Sequence, residues 1–303
     1  MEESKQNNLT LAAFVVITIF GGLNAIGVRY TVQELPPFWG ATLRFSVAAI
    51  LLFIIGAAMH LPLPRGRALV GILLYGVLSF GASYAFIYWG LQEVPAGLAS
   101  VLLSLVPLLT FAFAIIHRQE SFRWQVLAGG LLALGGILVV FRDSLGANVP
   151  IVSILAVLIS VACIAESAVI IKIFPRSHPI MTNALGIAVG TLILFGMSLI
   201  WGEPHAMPTQ PQMWLALVYL VLMGTCLVFI LYLYILKRWT ASATSYQFVL
   251  MPFVTIVVAA WLAREPVSGA FLIGGTLVLL GVYVGALLHI KPAGSAVSET
   301  ASD

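Results

Sequence analysis

Glu166 is the only acidic residue well inside an uncharged stretch of this 303-residue chain, in the run Ala165-Glu166-Ser167. An ionisable group in an apolar helix costs a few kcal/mol and usually faces a bundle interior or a water-filled cavity. A carboxylate in that setting can bind a cation or carry a proton; the alternative is a structural carboxylate reaching the interface near Lys172. Asn24, beside the Gly21-Gly22 pair, offers an amide that must bond across helices or face a cavity. Tyr84 and Tyr88 are four residues apart, on one face of a helix, with Ser83 adjacent. Ser100 and Ser104 precede Pro107, and Ser245-Tyr246-Gln247 precede Pro252. Proline removes a backbone bond, and the carbonyl it frees, with nearby hydroxyls, can hold a ligand. Arg44 lies about two turns inside a helix.

Aromatic walls with a few hydroxyls suit small amphipathic ligands. The candidate lining is Asn24, Ser83, Tyr84, Ser104, Glu166, Phe229, Tyr246 and Gln247. One acid and one amide among aromatics fit an ammonium-bearing solute better than a phosphate, which would call for Arg or Lys in the core. Tyr88 and Trp89 read equally as interface anchors.

Other chemistries lack their parts. No His-Glu-x-x-His occurs, no second in-span acid completes an aspartyl pair, and no in-span His could activate a serine. No phosphate-binding loop is present, and no ring of like charge or filter motif marks a channel. Cys163 and Cys226 lie in apolar runs, without disulfide or metal-ligand spacing. Neither a cofactor nor a metal is called for.

These residues must be positioned by helices in lipid. The chain is 61% hydrophobic and 8% charged, with a mean hydropathy of +1.08, too few charges to cover a water-soluble surface. Apolar stretches at 9–28, 38–59, 68–91, 93–116, 124–141, 149–171, 180–201, 213–236, 240–263 and 267–288 are near the length of about 20 residues that a spanning helix needs. The first reads as a retained helix rather than a signal peptide. Lipid demands internally bonded backbone, and the period-2 alternation of a membrane barrel is absent. The net charge of +3 is a topology signal, not evidence of a nucleic-acid partner. With the N-terminus cytoplasmic, Lys5, Arg65, Arg67, Arg118, Arg123, Lys172, Arg176, Lys237, Arg238 and Lys291 lie inside, and only Arg29, Arg142 and Arg264 outside. That bias places both termini in the cytoplasm.

The chain also repeats itself. Under a shift of 145 residues, 104–136 lies on 249–281 with 11 of 33 positions identical, among them Pro107/Pro252, Thr110/Thr255 and Glu120/Glu265. Phe229 falls opposite Tyr84 under the same shift. Five helices per unit is an odd number, so the halves face opposite ways, the architecture of alternating-access carriers with a midplane site. The expected fold is an all-α integral membrane protein of ten transmembrane helices in two inverted repeats, 1–145 and 146–303. Gly186-x-x-x-Gly190 and Gly281-x-x-x-Gly285 permit close helix approach, within the chain first and between copies second.

The stretch from Gly90 through Gln92-Glu93-Val94-Pro95 to Pro107, the pairs Gly129-Gly130 and Gly135-Gly136, and the Pro37…Arg44 pattern resemble the EamA family of the drug/metabolite transporter superfamily. The resemblance covers nearly the whole chain. It implies two inverted five-helix repeats around a central cavity, export of amino acids or other small metabolites, and a structural role for Arg44, bonding helix-end carbonyls or snorkelling outward. Phe20-Gly21-Gly22-Leu23-Asn24 departs from the family, which commonly places Trp before the glycine, and Ala165-Glu166-Ser167 lacks the family's usual aromatic. The expectation is a secondary carrier in a bacterial inner membrane, proton-coupled through Glu166 and a monomer or weak homodimer. Its substrate is an exported amino acid or derivative, or alternatively a vitamin, nucleoside or drug, inward transport included.

Overall fold

The computed structural model describes residues 2–94, 96–142, 149–263 and 269–287. Glu265, Arg264, Lys291 and Asp303 lie outside the described residues, as do the side chains of Lys5, Arg29, Ser100 and Arg142. Among the described residues there is no strand. Helices α1 (Glu2–Thr31) and α2 (Pro37–Ala58) are followed by a rod made of α3 (Arg67–Gly76), a π turn (Val77–Ala82) and α4 (Ser83–Gly90). Next come α5 (Ala96–Leu103), α6 (Val106–Ile116), α7 (Trp124–Arg142), α8 (Ile151–Ile173) and α9 (Pro179–Ile200). A second rod joins α10 (Pro211–Val221), a π turn (Leu222–Leu227) and α11 (Val228–Leu236). The chain then forms α12 (Ala241–Ser245), α13 (Gln247–Ala263), and α14 (Gly269–Val282) with a terminal π turn (Tyr283–Leu287). Six of these stretches are long and apolar enough to cross a membrane. Large aliphatic side chains such as Leu192, Ile200 and Leu215 stand exposed on the outer surface, as lipid-facing positions do.

The expected fourth and ninth spans are each broken, at Ser104-Leu105 and at Tyr246. Pro107 has no N–H to give the Leu103 carbonyl, and it sits in the first turn of α6, where that donor is not needed. Pro252 lies inside α13 instead. The carbonyl it cannot bond is that of Phe248, and the Ser104 hydroxyl donates to that oxygen at 3.4 Å. The break in one half is thus joined to the proline of the other.

The packing exchanges partners between the halves. Helix α1 packs on α13 and on the α10–α11 rod, whereas α8 packs on α6 and on the α3–α4 rod. Helix α2 lies along α9, and α7 along α14. The first two π turns begin at Val77 and Leu222, 145 residues apart, in the same register as the sequence repeat.

Loops tie the ends. At one end the Glu203 carboxylate accepts from the N–H groups of Phe38 (3.1 Å) and Trp39 (2.7 Å), closing the N-terminus of α2. The hydroxyl and N–H of Thr209 donate to Glu34 and hold its carboxyl below the usual carboxylate range. At the other end, the Lys172 ammonium donates to the carbonyls of Leu236 (3.0 Å) and Trp239, closing the C-terminus of α11.

Glycine sets the closest approach. A Cβ on Gly129 of α7 would stand 2.4 Å from the Gly281 carbonyl oxygen of α14 and 2.6 Å from the Gly285 nitrogen. Gly190 meets Phe80 in the same way, so both glycine pairs are used within the chain. At Gly135, six residues along α7, a Cβ would meet nothing within 4 Å. Gly129→Ala is therefore expected to destabilise the fold by about 1–3 kcal/mol through overpacking. Gly135→Ala should be neutral, or stabilising by up to about 1 kcal/mol of helix propensity. Melting of the two variants in one detergent measures the contrast, and equal losses would deny the close approach.

Candidate functional site

Where α1, α2, the two rods, α5, α8 and α13 converge, they leave a cavity of about 140 Å³. A dry cavity of ~150 Å³ accommodates a benzene ring, so the space suits a small molecule. Its wall is aromatic. Phe45 meets Tyr84 edge-on with centroids 4.6 Å apart, Phe80 meets Phe229 at 4.7 Å, and Tyr84 lies 5.9 Å from Tyr88. Of these, Tyr84, Tyr88 and Phe229 line the cavity directly, with Tyr232 and Phe248. The polar lining consists of the hydroxyls of Ser79, Ser83, Ser167 and Thr255, the amides of Asn24 and Gln247, and the Arg44 guanidinium. The Gln247 Oε1 is buried without a hydrogen-bond partner.

The π turn in the second rod organises the polar end. Its widened hydrogen-bond spacing leaves backbone oxygens off the regular ladder. The Gly224 carbonyl accepts from Asn24 Nδ2 at 3.0 Å and from Arg44 Nη2 at 2.9 Å. Thr225 donates its hydroxyl to the Leu220 carbonyl at 2.7 Å and accepts from Arg44 Nε at 2.7 Å. Arg44 Nη2 also reaches Asn24 Oδ1 at 3.3 Å. One charged side chain on α2 thereby fastens α1 to the second rod.

Five of the eight residues expected from the sequence line this cavity: Asn24, Ser83, Tyr84, Phe229 and Gln247. Ser104 and Tyr246 do not. Both flank a crevice of about 10 Å³ beside α7, with the Ser104 hydroxyl spent on the Phe248 carbonyl and Tyr246 packed on Val249 and Val278. Glu166 is also absent from the lining. On α8, Ile164 and Ser167 face the cavity, and successive helix residues point about 100° apart. Glu166 is consequently turned away, and its Oε1 lies 2.7 Å from His117 Nε2 at the end of α6. The pair is partly open, with side chains 24% exposed for Glu166 and 31% for His117.

Of the two structural roles expected for Arg44, carbonyl bonding is the one seen: at 1% exposed it does not snorkel, and its bonds run inward to the π turn. Tyr88 is 2% exposed, placed in the wall and not at an interface. Sequence reasoning missed Ser79, Ser167 and Thr255. Ser79 is one helical turn before Ser83, and Thr255 is the repeat mate of Thr110; both signals were present in the sequence.

Gly224 can be tested directly. A Cβ there would fall 2.0 Å from Asn24 Oδ1, so Gly224→Ala should expel Asn24 and loosen Arg44. The expected result is a loss of about 1–3 kcal/mol of stability, with ligand binding weakened because Asn24 and Arg44 no longer hold their places in the cavity wall. A variant melting and binding like wild type would show that the Asn24–Arg44–Gly224 junction is dispensable.

Comparison with known proteins agrees with this architecture. The model of the EamA-like transporter family matches residues 8–142 and again residues 151–286. The chain is 28% identical over 302 residues to the "Uncharacterized inner membrane transporter YedA" of Escherichia coli, covering 96% of each chain. It is 27% identical to the "Probable amino-acid metabolite efflux pump" of Escherichia coli, over 89% of this chain and 92% of that one. A "Probable terminal-alkyne amino-acid exporter" of Streptantibioticus cattleyicolor is 28% identical over 79% of this chain and 80% of its own. One solved crystal structure shares the fold with a TM-score of 0.75 at 20% identity, covering 92% of this chain and 97% of that one. Membrane-embedded, all-helical and matched in two successive halves, the chain belongs to the EamA-like transporter family.

Proposed function

We propose that the protein is a secondary carrier exporting a small amphipathic metabolite, an amino acid or a derivative, across a bacterial cytoplasmic membrane by alternating access. The observation that carries this reading is the central cavity, lined by aromatic rings, hydroxyls, two amides and the Arg44 guanidinium, with the Gln247 Oε1 buried and unpartnered beside it. That pattern fits a small solute with an apolar side chain and a few polar groups. The expected contrast between an acid in the lining and a core without Arg or Lys is not found, because Glu166 lies outside the lining and Arg44 within it. Relatives bearing amino-acid exporter names support the substrate class. The topology that goes with it has ten spans in two inverted halves, 1–145 and 146–303, with both termini cytoplasmic. The shared register of the π turns and the exchange of packing partners support it. The glycine pairs spent inside the chain favour a monomer.

The proton of the cycle is assigned to Glu166, in the form that the His117 contact gives it. One carboxylate oxygen meets the imidazole while Oε2 is buried without a partner. The pair joins α8, which faces the cavity through Ser167, to the end of α6. A proton bound there would alter a contact between two helices that border or adjoin the site.

In proteoliposomes, a panel of amino acids, nucleosides, vitamins and phosphorylated compounds should show saturable counterflow for amino acids or their derivatives. Counterflow confined to phosphorylated compounds would overturn the substrate class, and unsaturable flux would overturn the carrier. Glu166→Gln keeps the shape and removes the titration. It should abolish accumulation driven by a proton gradient while sparing counterflow; accumulation as steep with pH as wild type would remove Glu166 from the coupling step.

A further inference from the structure

Arg44 is the only Lys, Arg or His side chain lining the central cavity, and every group it touches is neutral. Its contacts are Thr225 Oγ1, Gly224 O, Asn24 Oδ1 and, at 3.5 Å, Tyr88 Oη. The rings of Phe45 and Tyr84 lie 5.1 and 5.6 Å from its Cζ. Among the described residues its charge forms no ion pair; the ion pairs there are His117–Glu166 and Arg123–Glu120. Neutral dipoles lower the cost of burying a cation, but they leave the charge itself uncompensated. The guanidinium has five N–H donors. The Nε donor and both Nη2 donors are engaged at 3.3 Å or less, whereas the Nη1 contact to Tyr88 is long, and the Tyr84 hydroxyl also lies near the guanidinium. The under-used donors therefore belong to a group that lines a cavity with room for a small ligand.

The geometry points to Arg44 as the carboxylate anchor of the central cavity, so that the transported solute supplies the anion the protein lacks there. This deepens the carrier reading and rests on it. A carboxylate suits the site better than a phosphate. The lining has one cation rather than the cluster that a doubly charged group requires, and a planar carboxylate matches the guanidinium edge in charge-assisted hydrogen bonds. Gln247 and aromatic rings, whose faces attract cations, line the same cavity, so the two ends of a zwitterion have different receivers.

The test compares L-threonine, L-leucine and L-phenylalanine with their carboxamides, which keep the ammonium and side chain and lose the negative charge. Binding to purified wild type by calorimetry should favour each bound acid over its amide by at least about tenfold, the low end for hydrogen bonds to charged groups. In Arg44→Met that ratio should collapse to within about twofold, with amide binding kept. Arg44→Lys should restore a preference for the acid, though a smaller one, because a point charge replaces the fork. Acids and amides bound alike by wild type would overturn the anchor and leave the carrier reading standing, as would an acid preference surviving in Arg44→Met. Binding of neither series would overturn the amino-acid reading and the anchor with it. If Arg44→Met fails to fold, the wild-type ratio and Arg44→Lys decide.

Discussion

A guanidinium sits at the centre of an apolar bundle only where most of its donors are answered, and the middle of this molecule is arranged around how those of Arg44 are met. The π turn Leu222–Leu227 supplies the Gly224 carbonyl and the Thr225 hydroxyl. Gly224 has no side chain, which lets Asn24 of α1 come to the same oxygen. Phe45 and Tyr84 lie within cation–π distance of the guanidinium. From that arrangement follow the fastening of α1 and α2 to the second rod and the position of the aromatic wall.

A second constraint is the shortage of backbone partners in lipid. Every carbonyl released by a proline or a π turn needs a donor from inside the protein. Here the donors come from the other half of the chain: Ser104 answers the carbonyl that Pro252 leaves at Phe248, and Asn24 and Arg44 answer the one in the second rod. Polar side chains spent in this way join the two matched halves. Close glycine contact between α7 and α14 supplies packing where no polar group is available.

The candidate site was partly legible for a physical reason. Ser83 and Tyr84, with Phe229 as repeat mate, lie on rods whose polar and aromatic groups share a face, and helical spacing identifies such a face. Ser104 and Tyr246 were singled out because hydroxyls near prolines can hold ligands, yet the same hydroxyls can close a helix break, and here Ser104 does so. Arg44 was expected either to bond helix-end carbonyls or to snorkel on its long stem; only the neighbouring π turn decides for the inward position. Glu166 was chosen for its depth along α8, but depth says nothing about direction.

Amino-acid sequence alone determined the helical class, the membrane setting, the family resemblance and the 145-residue register, including the alignment of Tyr84 with Phe229. These follow from run lengths and residue identities, which are local and survive any rotation of a helix about its axis. Tertiary structure decided which face of each helix turns inward. A step of one residue rotates a side chain by about 100°, so Ser167 lines the cavity while Glu166 meets His117. A π turn inserts a further residue into such a rod and shifts every face beyond it. Helix rotation is fixed only by the neighbours a helix packs against, and those neighbours come from the other half of the chain.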